Sequence, residues 1–178
     1  MKISLREITQ EDIRIIKPWL INKENAKWLD SFFQNDGLSD IQLALFLIRK
    51  DKKTYMIMCD DIPVGVIGLT EINEINRSSG IWVLVGDRSY RRKGVCIVSM
   101  ILILKKAFYD LNLHSVNTWA PEEHFTWRVF IKKIGFKMIG RQRECYMMDG
   151  QLKDLILIDI LKNDLDESAL LQHLEQTG

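Results

Sequence analysis

The sequence predicts a single α/β domain, built on a mixed, mainly antiparallel sheet of about seven strands with flanking helices. Three observations predict this class: seven short apolar-rich segments typical of strands, helical patterns between them, and a length of 178 residues. That length suits one compact domain with a sizeable core. We expect the domain to span residues 1–164, with residues 165–178 as a helical tail of the same domain.

The first quarter of the chain predicts one strand followed by helices. Residues 2–7 alternate apolar and polar side chains, which is typical of a strand, and Thr9 is a candidate N-cap for the helix that follows. Residues 21–38 carry aromatic side chains without a clean period, which indicates irregular structure or short helical turns. Those aromatic side chains either pack as a satellite core or line a pocket. Ser39 is the expected N-cap of a helix over residues 41–49.

The middle of the chain predicts three consecutive antiparallel strands and then a buried helix. The strands correspond to residues 54–60, 64–72 and 79–87, with a turn at Asp60–Asp61 between the first two. The apolar run over residues 95–104 has almost no polar face, which is typical of a buried helix.

The last third predicts a strand, a helix and a closing hairpin. The segment HSVNTW favours a strand, and a helix is expected from about Glu122 to Ile134, with Gly135 as its stop. Two further strands, FKMIGRQRE and DLILIDIL, flank a turn at Asp149–Gly150, which is a strong hairpin signal.

Composition excludes several classes of protein. Lys and Arg number 25 against 24 Asp and Glu, a balance that argues against a dedicated nucleic-acid-binding protein. Three cysteines without a CxxC or Cys/His cluster argue against a disulfide framework or a metal site and favour a reducing compartment. The first residues lack a signal peptide's apolar region, and the longest apolar run is about half of a membrane span. We therefore expect a soluble cytoplasmic protein without nucleic-acid or membrane partners.

The segment RSYRRKGVCIVS, residues 88–99, carries the clearest chemical signal. It joins a predicted strand to the buried helix, and Gly94 allows close approach of a ligand to backbone N–H groups at a helix N-terminus. Positive side chains surround this turn. It is either a pyrophosphate-binding turn or a solvated basic loop, and it matches neither a Walker A loop nor GxGxxG.

The context of that turn resembles the GNAT N-acetyltransferase superfamily. Arg91 and Gly94 match the family's acetyl-CoA signature, Q/R-x-x-G-x-G/A, and Cys96 stands at its final small residue. The segments LREITQEDI, EEHFTWRVFIKKIGF, and GRQRE followed by MDG and DLILIDI resemble further family blocks, so that the resemblance covers about residues 3–162. The phrase GLTEINEINRSSGIWVLV is typical of the branch with ribosomal-protein N-terminal, spermidine and amino-sugar acetyltransferases.

The resemblance implies acetyl-CoA as co-substrate and identifies the residues that bind it. The family's bulged strand falls at Val83, Leu84 and Val85, whose backbone would pair with the pantetheine arm, and the amides of residues 92–96 would hold the pyrophosphate. The expected cofactor-binding residues are Val83, Leu84, Val85, Arg91, Arg92, Lys93, Gly94, Val95 and Cys96.

Two positions depart from the family pattern in the late helix. His124 stands where the family often has a cofactor-contacting Asn, and Ile131 where it often has a Tyr that serves as general acid. Isoleucine cannot donate a proton, so the acid is Tyr146, His124 or water, or none is needed. A thiol with a pKa of about 8.5 is already a fair leaving group.

Acetyl transfer to an amine also needs a proton acceptor. Glu71 is the expected general base, since the family's catalytic carboxylate often ends this strand, and partial burial would raise its pKa toward the working pH. The alternatives are that Glu71 is a plain exposed carboxylate and that His124 is the base. Cys96 is either a low-pKa thiol or simply the small residue that the signature needs.

The resemblance implies direct transfer of an acetyl group to a primary amine of a small molecule such as an amino sugar, polyamine or aminoglycoside. An acidic pocket for a polyamine or aminoglycoside would be formed by Glu71, Glu74, Asp30 and Asp36. An aromatic pocket that stacks on a sugar or nucleobase would instead be formed by Trp28, Trp119 and Trp127. The alternatives are a non-catalytic acyl-CoA-binding module and a protein N-terminal acetyltransferase. A homodimer is compatible with each.

Overall fold

Seven strands form one mixed sheet in the computed structural model, which describes residues 1–35 and 37–165. The strands are β1 (Ile3–Glu7), β2 (Lys53–Cys59), β3 (Ile62–Asn73), β4 (Ser78–Val85), β5 (Ser115–Pro121), β6 (Lys137–Met148) and β7 (Gln151–Leu161). Their order is β1-β2-β3-β4-β5-β7-β6, with β4 and β5 parallel and the other neighbours antiparallel. The predicted fold class is confirmed.

Helices cover the sheet. They are α1 (Ile13–Leu20), α2 (Lys23–Ala26), α3 (Asp40–Leu47), α4 (Val95–Lys105), which continues as a π-helical turn (Lys106–Asp110), and α5 (Thr126–Ile134). The prediction of short helical turns in residues 21–38 is confirmed by α2 and a 3₁₀ turn (Ser31–Gln34). Ser39 caps α3 as predicted, since its Oγ accepts a hydrogen bond from the Gln42 N–H at 3.2 Å.

The turns follow their sequence signals. Asp60 and Asp61 have φ of 46° and 67°, and Asp149 and Gly150 have φ of 50° and 76°, so both hairpins turn through left-handed backbone. Gly135 ends α5 with φ of 100°, which confirms the predicted stop.

Helix α5 begins later than predicted. Its first residue is Thr126 rather than Glu122, because β5 runs on to Pro121 and the next residues form a turn. The Glu122 N–H donates to the Asp154 carbonyl of β7, and the His124 N–H donates to the Pro121 carbonyl. These bonds hold residues 122–124 beside the sheet, so the helix starts only after them.

Alternate residues of the central strands face two separate cores. Ile57 and Ile67 pack with α4 and α5 on one face, whereas Met56 and Val66 pack with α1 and α3 on the other. All four side chains are fully buried. The sheet is therefore covered on both faces, which explains the nearly continuous apolar runs in β2 and β3.

The sheet opens between β4 and β5. These strands pair only over Ser78–Gly80 and Ser115–Asn117, so the rest of β4 lacks a partner on that side among the described residues. The bulge expected at Val83–Val85 is not there, since that segment pairs with β3 in regular register. The irregularity lies instead in β3, between Thr70 and Asn73.

The predicted C-terminal helix falls almost wholly on residues 166–178, outside the described part of the chain. In the part that is described, no helix combines the length and the apolar character needed to cross a bilayer.

Candidate functional site

A cavity of about 980 Å³ lies where β4 leaves β5. The β4 residues that lack a β5 partner, Ile81–Val85, line it, and β5, the turn before α4, α5 and the segment from α2 to the 3₁₀ turn contribute the other walls. At about 3.3 Å per residue, the stretch from Gly80 to Val85 is roughly 16 Å long. Two groups of charged residues therefore lie well apart along this strand.

The first group belongs to the turn before α4. Arg92 and Gly94 have φ of 63° and 79°, which turns the chain sharply into the helix. The first amides of a helix have no intrahelical acceptor, and they carry the positive end of the helix dipole. With Arg91 and Arg92 on the cavity wall, this turn is suited to an anion such as a pyrophosphate.

Seven of the nine expected cofactor-binding residues line the cavity. Lys93 and Val95 do not: the Lys93 side chain is exposed, with Nζ 5.2 Å from the Tyr90 ring centroid, and the Val95 side chain is buried in the core. The buried side chain of Val95 leaves only its main chain to contribute to the turn.

Arg91 points away from the amides of the turn. Its Nε donates to the Val85 carbonyl at 3.0 Å and its Nη2 donates to Asn25 Oδ1 at 2.9 Å. Asn25 is buried and in turn donates from Nδ2 to the Trp19 carbonyl at 2.8 Å. Partial burial lowers the pKa of Arg91 from its ordinary value.

Glu71 lies at the other end of the open stretch of β4. It follows Thr70, which pairs with Gly80 where β4 and β5 separate, and its φ of 50° belongs to the bulge in β3. The next amide, that of Ile72, donates to the Asp51 carbonyl at 2.9 Å and so places Glu71 near residues 51 and 52. Glu71 lines the cavity but is exposed, so the expected partial burial is wrong.

Other charged side chains line the cavity around Glu71. Lys52 lies near both Glu71 and Asp30, and Arg49 pairs with Asp51 through Nε and Oδ1 at 3.0 Å. We call these five residues the Glu71 end of the cavity. Three carboxylates against two cations leave this end with a net negative charge.

The predicted acidic pocket is partly correct. Glu71 and Asp30 line the cavity, whereas Glu74 is exposed outside it and Asp36 falls outside the described residues. Asp51, which was not among the predicted residues, is the third carboxylate at the Glu71 end of the cavity.

His124 lies in the turn between β5 and α5 and faces the cavity. Its ring packs on Trp28 with centroids 4.4 Å apart, and Nε2 lies 3.4 Å from Thr126 Oγ1. Burial lowers the pKa of His124, which favours a neutral imidazole able to accept a proton. His124 therefore lies in a turn before α5, not at the helix start that the sequence predicted, and its ring packs on Trp28 at a tilt of 44°.

The hydroxyl of Tyr146, one of the alternatives for the general acid, is bonded to the main chain. The hydroxyl oxygen lies 2.5 Å from the Leu29 carbonyl and 3.1 Å from that of Lys27, and it accepts a bond from Gln34 Nε2 at 2.7 Å. The hydroxyl proton is thus engaged by the main chain, and Tyr146 is not among the described residues that line the cavity. These hydrogen bonds hold the segment that carries Trp28 against β6.

Ile131 and Cys96 do not supply an acid or a nucleophile. Ile131 packs against the core beneath α5. Cys96 lines the cavity, and burial raises the pKa of its thiol to about 12. The low-pKa thiol considered from the sequence is therefore wrong, and Cys96 is the small residue of the turn.

Aromatic residues form much of the remaining wall. Trp28, Trp119 and Trp127 all line the cavity, and so do Phe33 and Phe46. Both readings of the aromatic residues in 21–38 hold, because Phe33 is buried in a core and also reaches the cavity. Phe46 and Lys52 were missed from the sequence, where one belongs to a predicted helix and the other to a polar turn without a motif.

Known proteins resemble this chain over most of its length. The model of the acetyltransferase (GNAT) domain family matches residues 5–157. A spermidine N(1)-acetyltransferase of Escherichia coli (strain K12) is 21% identical over 165 residues, covering 90% of this chain and 87% of that protein. A Bacillus subtilis (strain 168) protein named as a ribosomal N-acetyltransferase, YdaF, is 24% identical over 174 residues, covering 91% and 92%.

A solved structure shares the fold. The spermidine N-acetyltransferase from Vibrio cholerae in complex with CoA and spermine superposes with a TM-score of 0.82 at 20% identity, covering 91% of this chain and 96% of that one.

Proposed function

Because the chain belongs to the GNAT acetyltransferase family, we propose that it moves the acetyl group of acetyl-CoA directly to a primary amine of a small cationic molecule of the polyamine type. The observation that carries this proposal is the open edge of β4, which runs from the cationic turn at Gly94 to the carboxylates of the Glu71 end. An anionic donor and a cationic acceptor each find the opposite charge along one cavity.

The donor is acetyl-CoA, which supplies a thioester-activated acetyl group. The amides of residues 92–96 and the side chain of Arg92 hold its pyrophosphate, and the open backbone of Val83–Val85 holds its pantetheine arm. Both contacts use mainly main chain, so Cys96 at the signature's small position does not disturb them.

The acceptor lies against the Glu71 end, below the wall formed by α2 and the 3₁₀ turn. Asp30 and Glu71 attract its ammonium group, and Glu71 takes the proton that must leave before the nitrogen attacks. His124, neutral and facing the same cavity, is the alternative base. No acid is assigned, because a thiol with a pKa of about 8.5 leaves adequately as the thiolate.

Transfer is direct, without an acyl-enzyme. A covalent route needs a nucleophile activated by a neighbouring base. Cys96 has a pKa raised to about 12 and lies in the first turn of α4, Cys59 is buried in β2, and Cys145 is exposed in β6 outside the cavity. Intact-protein mass after incubation with acetyl-CoA alone should therefore show no acetyl group on a cysteine.

The deciding experiment is a screen of amines by thiol release from acetyl-CoA. We expect spermidine and spermine to be turned over faster than amino sugars, aminoglycosides or a ribosomal-protein N-terminal peptide. A faster peptide would favour the protein N-terminal acetyltransferase. Tight acetyl-CoA binding without thiol release for any amine would favour the non-catalytic module.

Two wider expectations belong to this proposal. Three free cysteines favour a reducing compartment, and we place the protein in the cytoplasm. The homodimer stays a prediction, which the molar mass in solution would test.

A further inference from the structure

The ammonium group of Lys52 lies on the face of an aromatic ring inside the cavity. Its Nζ is 3.1 Å from the centroid of Phe46, and both residues line the cavity wall. Phe32 stacks on Phe46 in parallel, with centroids 4.2 Å apart and an interplanar angle of 11°. Two groups this close cannot share one face of the ring, so Phe32 and Lys52 cover opposite faces.

The charges around Lys52 come from three parts of the chain. Asp51 and Arg49 precede it, while Asp30, before the 3₁₀ turn, and Glu71, in the bulge of β3, lie near enough to act on its charge. Asp51 acts on both Arg49 and Lys52, and Asp30 and Glu71 supply the further negative charge near the ammonium. An aromatic face together with carboxylates is the environment that binds organic ammonium ions.

We infer that Lys52 fills an ammonium subsite of the acceptor region and thereby limits how many positive charges an acceptor can place there. The inference rests on the proposed function for the identity of the acceptor as a small cationic amine. Lys52 is then a specificity-determining residue: its own ammonium takes the face of Phe46, so a polyamine that enters the cavity must place its second ammonium elsewhere.

Burial of Lys52 supports this assignment. Its side chain is half-buried, and desolvation, with the nearby charge of Arg49, lowers its pKa from the ordinary value. A lysine whose only role is to keep the protein surface hydrated would have its ammonium group exposed to water. Here the chain places the cation inside the cavity that the acceptor must enter.

The test compares Lys52→Met with wild type by calorimetry, using protein without acetyl-CoA. Methionine keeps the length and apolar stem of lysine but removes the charge, so the face of Phe46 becomes available. We expect the preference for spermidine over n-butylamine, taken as the ratio of their Kd values, to rise by about fivefold or more. Lys53→Met is the matched control, because Lys53 is exposed in β2 and outside the described cavity wall.

A second variant tests the aromatic face itself. Adding Phe46→Leu to Lys52→Met should cancel most of the gain for spermidine, because leucine offers no ring face to an ammonium. Lys52→Gln provides the same test if Lys52→Met does not fold, as judged by its thermal unfolding curve.

The outcomes separate this inference from the proposed function. An unchanged or reduced preference for spermidine in both Lys52 variants overturns the inference, and so does an absence of spermidine binding in wild type and variants alike. Thiol release from acetyl-CoA is measured separately. Its absence for every amine would overturn the proposed function while the calorimetric ratio still reports on Lys52.

Discussion

Arg91 in the turn before α4 donates a hydrogen bond to Asn25 in α2, across 2.9 Å and 66 positions of sequence. The same guanidinium holds the carbonyl of Val85, the last residue of β4. One side chain therefore links the turn that we propose for the pyrophosphate, the open strand and helix α2. A substitution of Arg91 therefore changes contacts in both places.

This link predicts that Arg91→Lys weakens acceptor binding more than acetyl-CoA binding. Lysine keeps the positive charge beside the turn but cannot reach two acceptors in fixed directions. Loss of about 1 kcal/mol from one partly buried hydrogen bond corresponds to a roughly fivefold rise in the KM for the amine. Steady-state kinetics with each substrate varied in turn would measure both constants.

Arg77 offers a matched control for that experiment. It donates from Nε to the Asn112 carbonyl and from Nη2 to Asn112 Oδ1, each at 2.8 Å, at a site outside the cavity. Arg77→Lys should leave both constants unchanged. If Arg91→Lys instead raises the Kd of acetyl-CoA alone, Arg91 acts on the pyrophosphate and the link to Asn25 has no functional role.

Gly94 should tolerate asparagine far better than aspartate. Its φ of 79° is left-handed, a region that Asn and Asp enter more readily than other side chains, so Gly94→Asn measures the effect of bulk and residual strain. Gly94→Asp adds a negative charge, which at about 5 Å from a phosphate charge costs roughly 3 kcal/mol at an effective dielectric constant of about 20. Calorimetry should therefore show acetyl-CoA binding weaker by at least about tenfold in Gly94→Asp than in Gly94→Asn.

Salt provides the internal check on that comparison. Raising the ionic strength screens the added charge, so the difference between the two variants should shrink. Equal affinities of Gly94→Asp and Gly94→Asn for acetyl-CoA at low salt would show that the pyrophosphate does not bind at this turn.

The fold was accessible from the sequence because its signals are local. Alternation of apolar and polar residues marked β1, apolar runs marked the central strands, and Gly135 and Asp149–Gly150 marked a helix stop and a turn. The start of α5 was misplaced because a long-range bond decides it: the Glu122 amide is held by Asp154 in β7. No local pattern around residue 122 reports that contact.

The site was accessible only where its residues follow one another in the chain. The turn at Gly94 is a continuous motif, and Glu71 follows directly on an apolar strand. By contrast, Tyr146 bonds to carbonyls near residue 28, and Lys52 meets Phe46 only once α3 is packed on the sheet. Side chains that point away from their own motif, as Arg91 does, are likewise invisible until the fold is known.

Glu71→Gln should lower kcat by ~10²–10⁴ while acetyl-CoA affinity stays unchanged. Glutamine has nearly the size of glutamate but cannot take the proton of the attacking amine. The affinity for acetyl-CoA stays unchanged because Glu71 lies at the opposite end of the open stretch of β4 from the turn at Gly94. Glu74→Gln is the matched control, since that carboxylate is exposed and outside the described cavity wall. The comparison needs saturating acetyl-CoA and a range of amine concentrations.

His124→Gln distinguishes the two bases. If Glu71→Gln keeps more than about half of the wild-type kcat while His124→Gln loses activity by a factor of about 10² or more, the proton goes to His124. The dependence of kcat/KM on pH should follow the same assignment, because the acidic limb belongs to whichever group must be deprotonated.

Asp12 should make stability depend on pH at the junction of β1 and α1. Its carboxylate pairs with Arg6 at 2.8 Å and accepts from the Thr9 amide at 2.7 Å, and the Arg6 hydrogen bond is the main cause that lowers its pKa to about 2. A carboxyl group whose pKa is lowered by folding stabilises the native state above its unfolded pKa of about 3.9, and that contribution is lost as pH falls toward 2. A pKa lowered from about 3.9 to about 2 corresponds to roughly 2–3 kcal/mol of folding stability at neutral pH. Asp12→Asn should therefore reduce the free energy of unfolding by up to about that amount at pH 7, with the difference from wild type shrinking between about pH 4 and pH 2.

Urea unfolding at a series of pH values measures this difference in the free energy of unfolding, with Asp61→Asn, at an exposed turn carboxylate, as control. A difference that stays constant down to pH 2 would mean that Asp12 stabilises the fold through packing rather than through its charge.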